Sequence, residues 1–143
     1  SLWSVHAISG RTGTELWNFT GVIGSITVGK FTTKTRDDVA VLAWASKIIC
    51  INGGTGVEIW SFDNPALYTL RGLIKGDVNA DGLEEVITMN WDIVYAINKR
   101  GTVWASFVAS KRITGMSTGD FDGDKRVDVA IGTTDAKVYA IPG

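Results

Sequence analysis

The stretch "GDFDGDKRVD", residues 119–128, carries four aspartates on a chain whose formal net charge is only −1. Counted from Asp120, the acids Asp120, Asp122, Asp124 and Asp128 stand at positions 1, 3, 5 and 9 of a short loop. A second stretch, "GDVNADGLEE" at 76–85, repeats the frame with Asp77, Asn79, Asp81 and Glu85. Oxygen donors at alternate positions can wrap a hard cation, and calcium takes about six to eight oxygens at about 2.3–2.6 Å. Without a cation, carboxylates crowded this closely repel one another and some of their pKa values rise. The expected cofactor is therefore Ca2+, up to two ions, one in each loop. The competing reading of each loop is a solvated acidic hairpin, because Asp and Asn favour turns with no ion present.

A third copy of the frame is an internal control. In "GKFTTKTRDD" at 29–38 the same positions hold Lys30, Thr32, Lys34 and Asp38, so a single carboxylate remains. No calcium is expected there, and a lysine amine is expected to reach Asp38 in its place. None of the loops is an EF-hand. Position 12 is Thr88 or Ile131 rather than Glu, and the flanking segments read as strands, not helices. Position 6 is Gly82 in one acidic loop and Lys125 in the other, where the glycine comes earlier, at Gly123. Lys125 is expected to weaken the site at Asp120.

The elements that position these loops repeat with them. The segments "SVHAI" (4–8), "KIICI" (47–51), "IVYAI" (93–97) and "KVYAI" (137–141) recur about every 45 residues, as do the glycines Gly29, Gly76 and Gly119 that open the three loops. A full unit reads as four strands. Strand A is "SITVGKF" (25–31), "LIKGDV" (73–78) or "MSTGDF" (116–121). Strand B is "DVAVLAW" (38–44), "EVITMNW" (85–91) or "DVAIGTT" (128–134). Strand C is the recurring segment, and strand D is "TELWNF" (14–19), "VEIWSF" (57–62) or "GTVWASF" (101–107). Apolar alternation at Val5/Ala7, Ile48/Cys50 and Val94/Ala96 supports strands. Seventeen glycines against two prolines suit short strands joined by tight turns. The expected fold is all-β, a β-propeller of four-stranded antiparallel blades. The chain holds about three of them, as half a blade at 1–20, blades at 21–63 and 64–108, and three strands of another at 109–143.

The turns between strands C and D share a further pattern. "AISGRTGTELW" (7–17) and "CINGGTGVEIW" (50–60) place Thr-Gly four residues before a Trp, and Trp17, Trp60 and Trp104 fall in one column. This resembles the tryptophan-docking motif of PQQ-like quinoprotein propeller repeats, although Ser9 and Asn52 stand where that motif has Asp. The acidic A–B loops resemble FG-GAP (VCBS) repeats of integrin-α-like propellers. That second resemblance implies a backbone carbonyl ligand at position 7, from Leu83 in one loop and Arg126 in the other. Adjacent cysteines and the other cofactor-binding residues of quinoprotein dehydrogenases have no counterpart here, so no PQQ is expected.

About three blades do not close an ordinary ring, which takes roughly four to eight. Either the chain is a segment of a longer polypeptide or a homo-oligomer completes the ring. Strand C would be present twice at a dimer seam, which favours the segment. Composition excludes some functions. The charge balance gives no case for nucleic acid or an anionic membrane. No apolar run approaches the roughly 18 residues that cross a bilayer. "SLWSVHAISG" does not read as a signal peptide. With one histidine, His6, and one cysteine, Cys50, a Cys/His zinc site or an internal disulfide has no basis. His6 falls in a column of Ile49, Tyr95 and Tyr139 and is expected to be structural. Cys50 is expected to be a buried, inert thiol. Trp44 and Trp91 end their B strands in one column, where they pack on the surface or line a ligand groove. "NFT" at 18–20 makes Asn18 a candidate glycosylation site.

The function expected is a non-catalytic, calcium-binding propeller module that acts as an extracellular or cell-surface binding or scaffold domain, with a protein or a glycan as partner. The alternatives are a segment of a polysaccharide-degrading or quinoprotein-like enzyme, and a self-assembling repeat of a surface protein.

Overall fold

In the structure, a computed structural model, the strands at 38–43 and 85–89 bury both of their faces, whereas those at 15–20 and 103–108 stay largely exposed. The structure describes residues 3–21, 23–66 and 68–143. The described residues form four antiparallel sheets. The first pairs β1 (Ser4–Ile8) with β2 (Glu15–Thr20). The second runs β3 (Ile23–Gly29), β4 (Asp38–Ala43), β5 (Lys47–Ile51), β6 (Glu58–Asp63), with a single 3₁₀ turn at Trp44–Ser46. The third runs β7 (Arg71–Gly76), β8 (Glu85–Met89), β9 (Ile93–Ile97), β10 (Val103–Val108). The fourth is β11 (Ile113–Gly119), β12 (Asp128–Thr133) and β13 (Val138–Ile141). Each sheet is a meander in chain order, and β7 lies between β3 and β11, so the first strands of successive sheets stand side by side.

The core lies between sheets rather than within one. In β4, Val39 and Val41 pack toward the first sheet with Val5, Phe19 and Ile51, while Ala40 packs toward the third with Phe62, Val86 and Tyr95. In β8, Val86 faces the second sheet while Ile87 faces the fourth, with Val94, Val129 and Ile131. Period-two alternation sends successive side chains to opposite neighbours, so each blade contacts only the blades beside it, as in other repeat architectures. The aromatic column of strand C meets the phenylalanine of the preceding strand D: Phe62 with Tyr95 at 6.0 Å between ring centroids, and Phe107 with Tyr139 at 6.2 Å.

The A strands end earlier than the sequence pattern suggests, at Gly29, Gly76 and Gly119 rather than two residues later. Beyond each glycine, side chains take over backbone N–H groups from the ladder: the position-9 carboxylate takes those of Thr32, Val78 and Phe121, and Glu84 of the next blade takes that of Lys30.

Candidate functional site

The two acidic loops follow one backbone path. Positions 4 and 6 are left-handed in both: Ala80 at φ 58° and Gly82 at 83°, Gly123 at 84° and Lys125 at 72°. The glycine has changed place, but the turn has not. The hydrogen bonds also repeat. The position-1 carboxylate accepts from the position-6 N–H, Gly82 to Asp77 at 2.8 Å and Lys125 to Asp120 at 2.9 Å. Position 3 accepts from position 5, Asp81 to Asn79 at 2.9 Å and Asp124 to Asp122 at 3.0 Å. Position 5 accepts from position 7, Leu83 to Asp81 at 2.9 Å and Arg126 to Asp124 at 2.8 Å. Each side chain is thereby aimed inward with oxygen lone pairs still free.

In the last blade the result is a convergent donor set. Carboxylate oxygens of Asp120, Asp122 and Asp124 lie within 4.8 Å of one another on the surface, the one such group of three acids among the described residues. Two oxygens bound to the same calcium at about 2.4 Å are at most about 4.8 Å apart, so this spacing fits a single ion. Asp77, Asp81 and Glu85 are not gathered in this way. Glu85 turns into the protein, 1% exposed, where it accepts from the Val78 N–H at 3.1 Å and the Asn79 amide at 2.7 Å. Burial pushes its carboxyl up to about 7 against the pull of hydrogen bonds from Val78 and Asn79, and the nearby Asp81 and Asp77 charges add to the rise. Asp81 is lowered: burial opposes the shift, but the Leu83 N–H, Lys99 at 3.2 Å and the more distant Lys34 outweigh it.

Position 9 behaves differently from the rest of the frame. Asp38, Glu85 and Asp128 are all buried. Asp128 accepts the Phe121 N–H at 2.8 Å and the Gly143 N–H at 3.0 Å, which hold its carboxyl below the ordinary range. Asp38 accepts the Thr32 N–H at 3.2 Å and its hydroxyl, and the Gly53 N–H at 3.4 Å. In the first and last of these loops, position 9 ties the A–B loop to the end of strand C.

The 30–38 loop corrects one expectation. The cation that reaches Asp38 is Arg36, with Nε at 3.0 Å and Nη2 at 2.9 Å from Oδ1, and not a lysine. Lys30 pairs instead with Asp37 at 2.8 Å. A planar guanidinium at position 7 can fold back onto position 9 with two N–H groups, whereas the lysine at position 1 starts on the wrong side of the turn.

Outside the loops, Trp17 donates its indole N–H to the Gly53 carbonyl of the next blade at 2.8 Å. A Cβ on Gly56 would stand 2.9 Å from the Trp17 ring, and one on Gly101 would stand 3.0 Å from Trp60. Both glycines have positive φ, 73° and 75°, so conformation and close approach together require glycine. The Trp60 N–H is buried without a partner, since the turn it meets is two residues shorter. Trp104 is partly exposed. Cys50 is fully buried and its thiol is pushed up to about 12, chiefly by burial. Asn18 lies exposed on β2 and donates to Glu15 at 2.8 Å.

His6 is not packed like its column-mates. It is exposed, with Nε2 2.7 Å from the Ser4 hydroxyl and Nδ1 bonded to Glu15. Sequence reasoning missed this group because Glu15 reaches His6 only through the β1–β2 pairing, while Ser4 lies two residues away on the same face of β1. Its members sit on an open sheet face, the His6 and Glu15 side chains 47% and 42% exposed. They lack the water-excluding surroundings that make such a base and nucleophile effective.

No protein-family model and no curated protein matches the chain. Solved structures do. BBS1N in complex with ARL6DN, from a lead-soaked crystal, is similar at a TM-score of 0.73 and 15% identity, covering 96% of this chain and 43% of that one. The mercury-soaked form gives 0.71 and 15%, covering 93% and 42%. BamB from Moraxella catarrhalis gives 0.70 and 12%, covering 98% and 38%. The chain therefore spans about two fifths of the length of the structures it matches. Sheets of this order, stacked side by side and superimposing on these proteins, make the fold a β-propeller segment.

Proposed function

We propose that the chain is a non-catalytic binding module of the propeller type, stabilised by calcium in its acidic A–B loops and displayed outside the cell. The observation that carries this reading is the convergence of Asp120, Asp122 and Asp124 on one point, set against the loop at 30–38, where positions 1, 3 and 5 carry no acid and Arg36 pairs with the Asp38 that remains. The same turn takes its cation from solution in one blade and from the chain in another. Asp120, Asp122 and Asp124 would hold the ion in the last blade, with Asp128 fixing the loop beneath it. Asp77, Asn79 and Asp81 would hold the ion in the blade before, with Glu85 in the role of Asp128. The ion would neutralise the loop and stiffen the hairpin. Calcium sites of millimolar to submillimolar affinity suit an extracellular setting. BBS1N, similar in fold, was solved in complex with a protein, ARL6DN, which supports a binding role for a segment of this architecture.

Calorimetric titration of chelator-treated protein with calcium, with a thermal melt at each end point, tests the reading. Two sites and a higher melting temperature are expected. No heat at millimolar calcium would reduce both loops to acidic turns.

A further inference from the structure

In a meander blade the A–B and C–D loops share one face of the propeller, and the B–C loops and D–A connectors share the other. The second face has its own chemistry. Trp44 and Trp91 stand at the B–C loops of successive blades, 70% and 41% exposed. The connector at 64–70 brings Tyr68, 53% exposed, against Trp91, with ring centroids 5.8 Å apart and 28° between the planes. The next connector, at 109–112, lays the Arg112 guanidinium 4.6 Å from the centroid of the same Trp91 ring. The backbone beneath is tied on both sides: the Ile113 N–H donates to the Trp91 carbonyl at 2.8 Å, the Ala109 N–H to Asp92 at 2.7 Å, and the Thr134 N–H to Arg112 at 2.9 Å. The platform is therefore built into the fold.

The charge on this face is also distinct. Lys47 pairs with Asp63 and Lys137 with Asp135. Arg71, Lys111 and Arg112 make no ion pair among the described residues, against one acid, Asp92, in the same position. An aromatic surface with surplus cations, on a chain of net charge −1, matches a ligand that offers flat apolar faces and carboxylates together. Resting on the reading of the chain as a binding module, we propose that this face binds an acidic polysaccharide. A uronate ring lies on the Trp91–Tyr68 platform and its carboxylate meets Arg112, whose planar fork suits that group. Trp44 in the neighbouring blade takes a further sugar of the same polymer, so that weak single contacts combine. An acidic peptide would use the cations but gain little from stacked rings.

The test is calorimetry with an oligogalacturonate of about six residues, alongside an uncharged oligogalactose of the same length and a hexaglutamate peptide, together with proton–nitrogen spectra of the indole N–H groups. The oligogalacturonate is expected to bind at least tenfold more tightly than either comparator, to shift the Trp44 and Trp91 signals while leaving Trp17 and Trp60 in place, and to lose about tenfold on Arg112→Gln, a factor equal to about 1.4 kcal/mol. Trp91→Ala is expected to abolish binding. If that variant does not fold, Arg112→Gln and the spectra of the native chain decide. Equal binding of the uncharged sugar or of the peptide, shifts confined to the other tryptophans, or no binding would each overturn the proposal. Because the calcium melt reads the opposite face, failure here leaves the calcium-stabilised module standing, and failure there leaves this surface standing.

Discussion

The loops at 30–38 and 120–128 occupy the same place in two blades and resolve the same electrostatic problem in opposite ways. Each buries an aspartate at position 9, Asp38 or Asp128, and each gives that carboxylate to backbone N–H groups of its own loop and of the end of strand C. Above that shared foundation they diverge. The first loop lays Arg36 on Asp38, while the last turns Asp120, Asp122 and Asp124 toward one point. Position 9 therefore belongs to the fold, and positions 1, 3 and 5 are left for the ion that we propose. A sequence pattern that treats all four as ligands merges two roles that the 30–38 loop, with an acid at position 9 alone of the four, separates.

The hardest way to break this comparison is Arg36→Ala. It leaves Asp38 fully buried without its counter-charge. Removing one partner of a buried pair costs about 3–5 kcal/mol, and since Arg36 is itself 35% exposed a loss of about 3 kcal/mol is expected from urea unfolding. The loss should be the same with calcium or chelator, and Arg36→Ala combined with Asp38→Asn should recover much of it. A calcium-dependent loss would mean that the first loop also holds an ion.

Glu85 gives the next effect, because it is the position-9 acid held by the fewest backbone donors. Its carboxyl is raised to about 7 from an ordinary 4.5, so the unfolded chain releases that proton first. The contribution to stability is complete below about 4.5 and is lost as the pH rises through about 7. In chelator, lowering the pH from 8 to 5 should therefore stabilise the protein, by an amount of about 2–3 kcal/mol at most. Asp128, shifted the other way, titrates below this window. Glu85→Gln should flatten the slope, and calcium should flatten it in the native chain. A slope unchanged by Glu85→Gln would assign it elsewhere.

Asp122→Asn sharpens the contrast at smaller cost. The amide oxygen can still accept the Asp124 N–H, so the turn remains while one charge goes. The melting temperature is expected to rise by a few degrees in chelator and to fall by a few in calcium, a shift of about 1 kcal/mol either way for a domain of this size. The same sign in both conditions would mean that the acids serve the turn alone.

The fold was legible because its signals are local and repeated. Gly29, Gly76 and Gly119 set the period, and the Thr-Gly and Trp columns mark the strand C to strand D turns. The strand A ends were misread because Phe31, Val78 and Phe121 are apolar enough to continue a strand, whereas the position-9 carboxylate captures backbone N–H groups there. The acidic loops were legible in composition but not in geometry. Sequence spacing cannot show that Glu85 turns inward, that Arg36 rather than a lysine reaches Asp38, or that Tyr68 and Arg112 meet on Trp91 from two different connectors. Each of these depends on which side of a turn a side chain leaves, or on contacts between blades.

The smallest effect separates conformation from charge at Lys125. This lysine holds a left-handed φ of 72° that Gly82 holds in the other acidic loop. An L-residue there costs about 1–2 kcal/mol, and replacing it by glycine returns part of that to the flexibility of the unfolded chain. Lys125→Gly is therefore expected to stabilise the protein by less than about 1 kcal/mol and to raise calcium affinity a few-fold, because a cation beside the acids is gone. Gly123→Ala, at φ 84° with open space around it, should destabilise through conformation alone and leave charge untouched. If Lys125→Gly changes affinity while Gly123→Ala does not, charge sets the strength of the site. If the two move affinity in opposite directions by similar factors, the shape of the turn does.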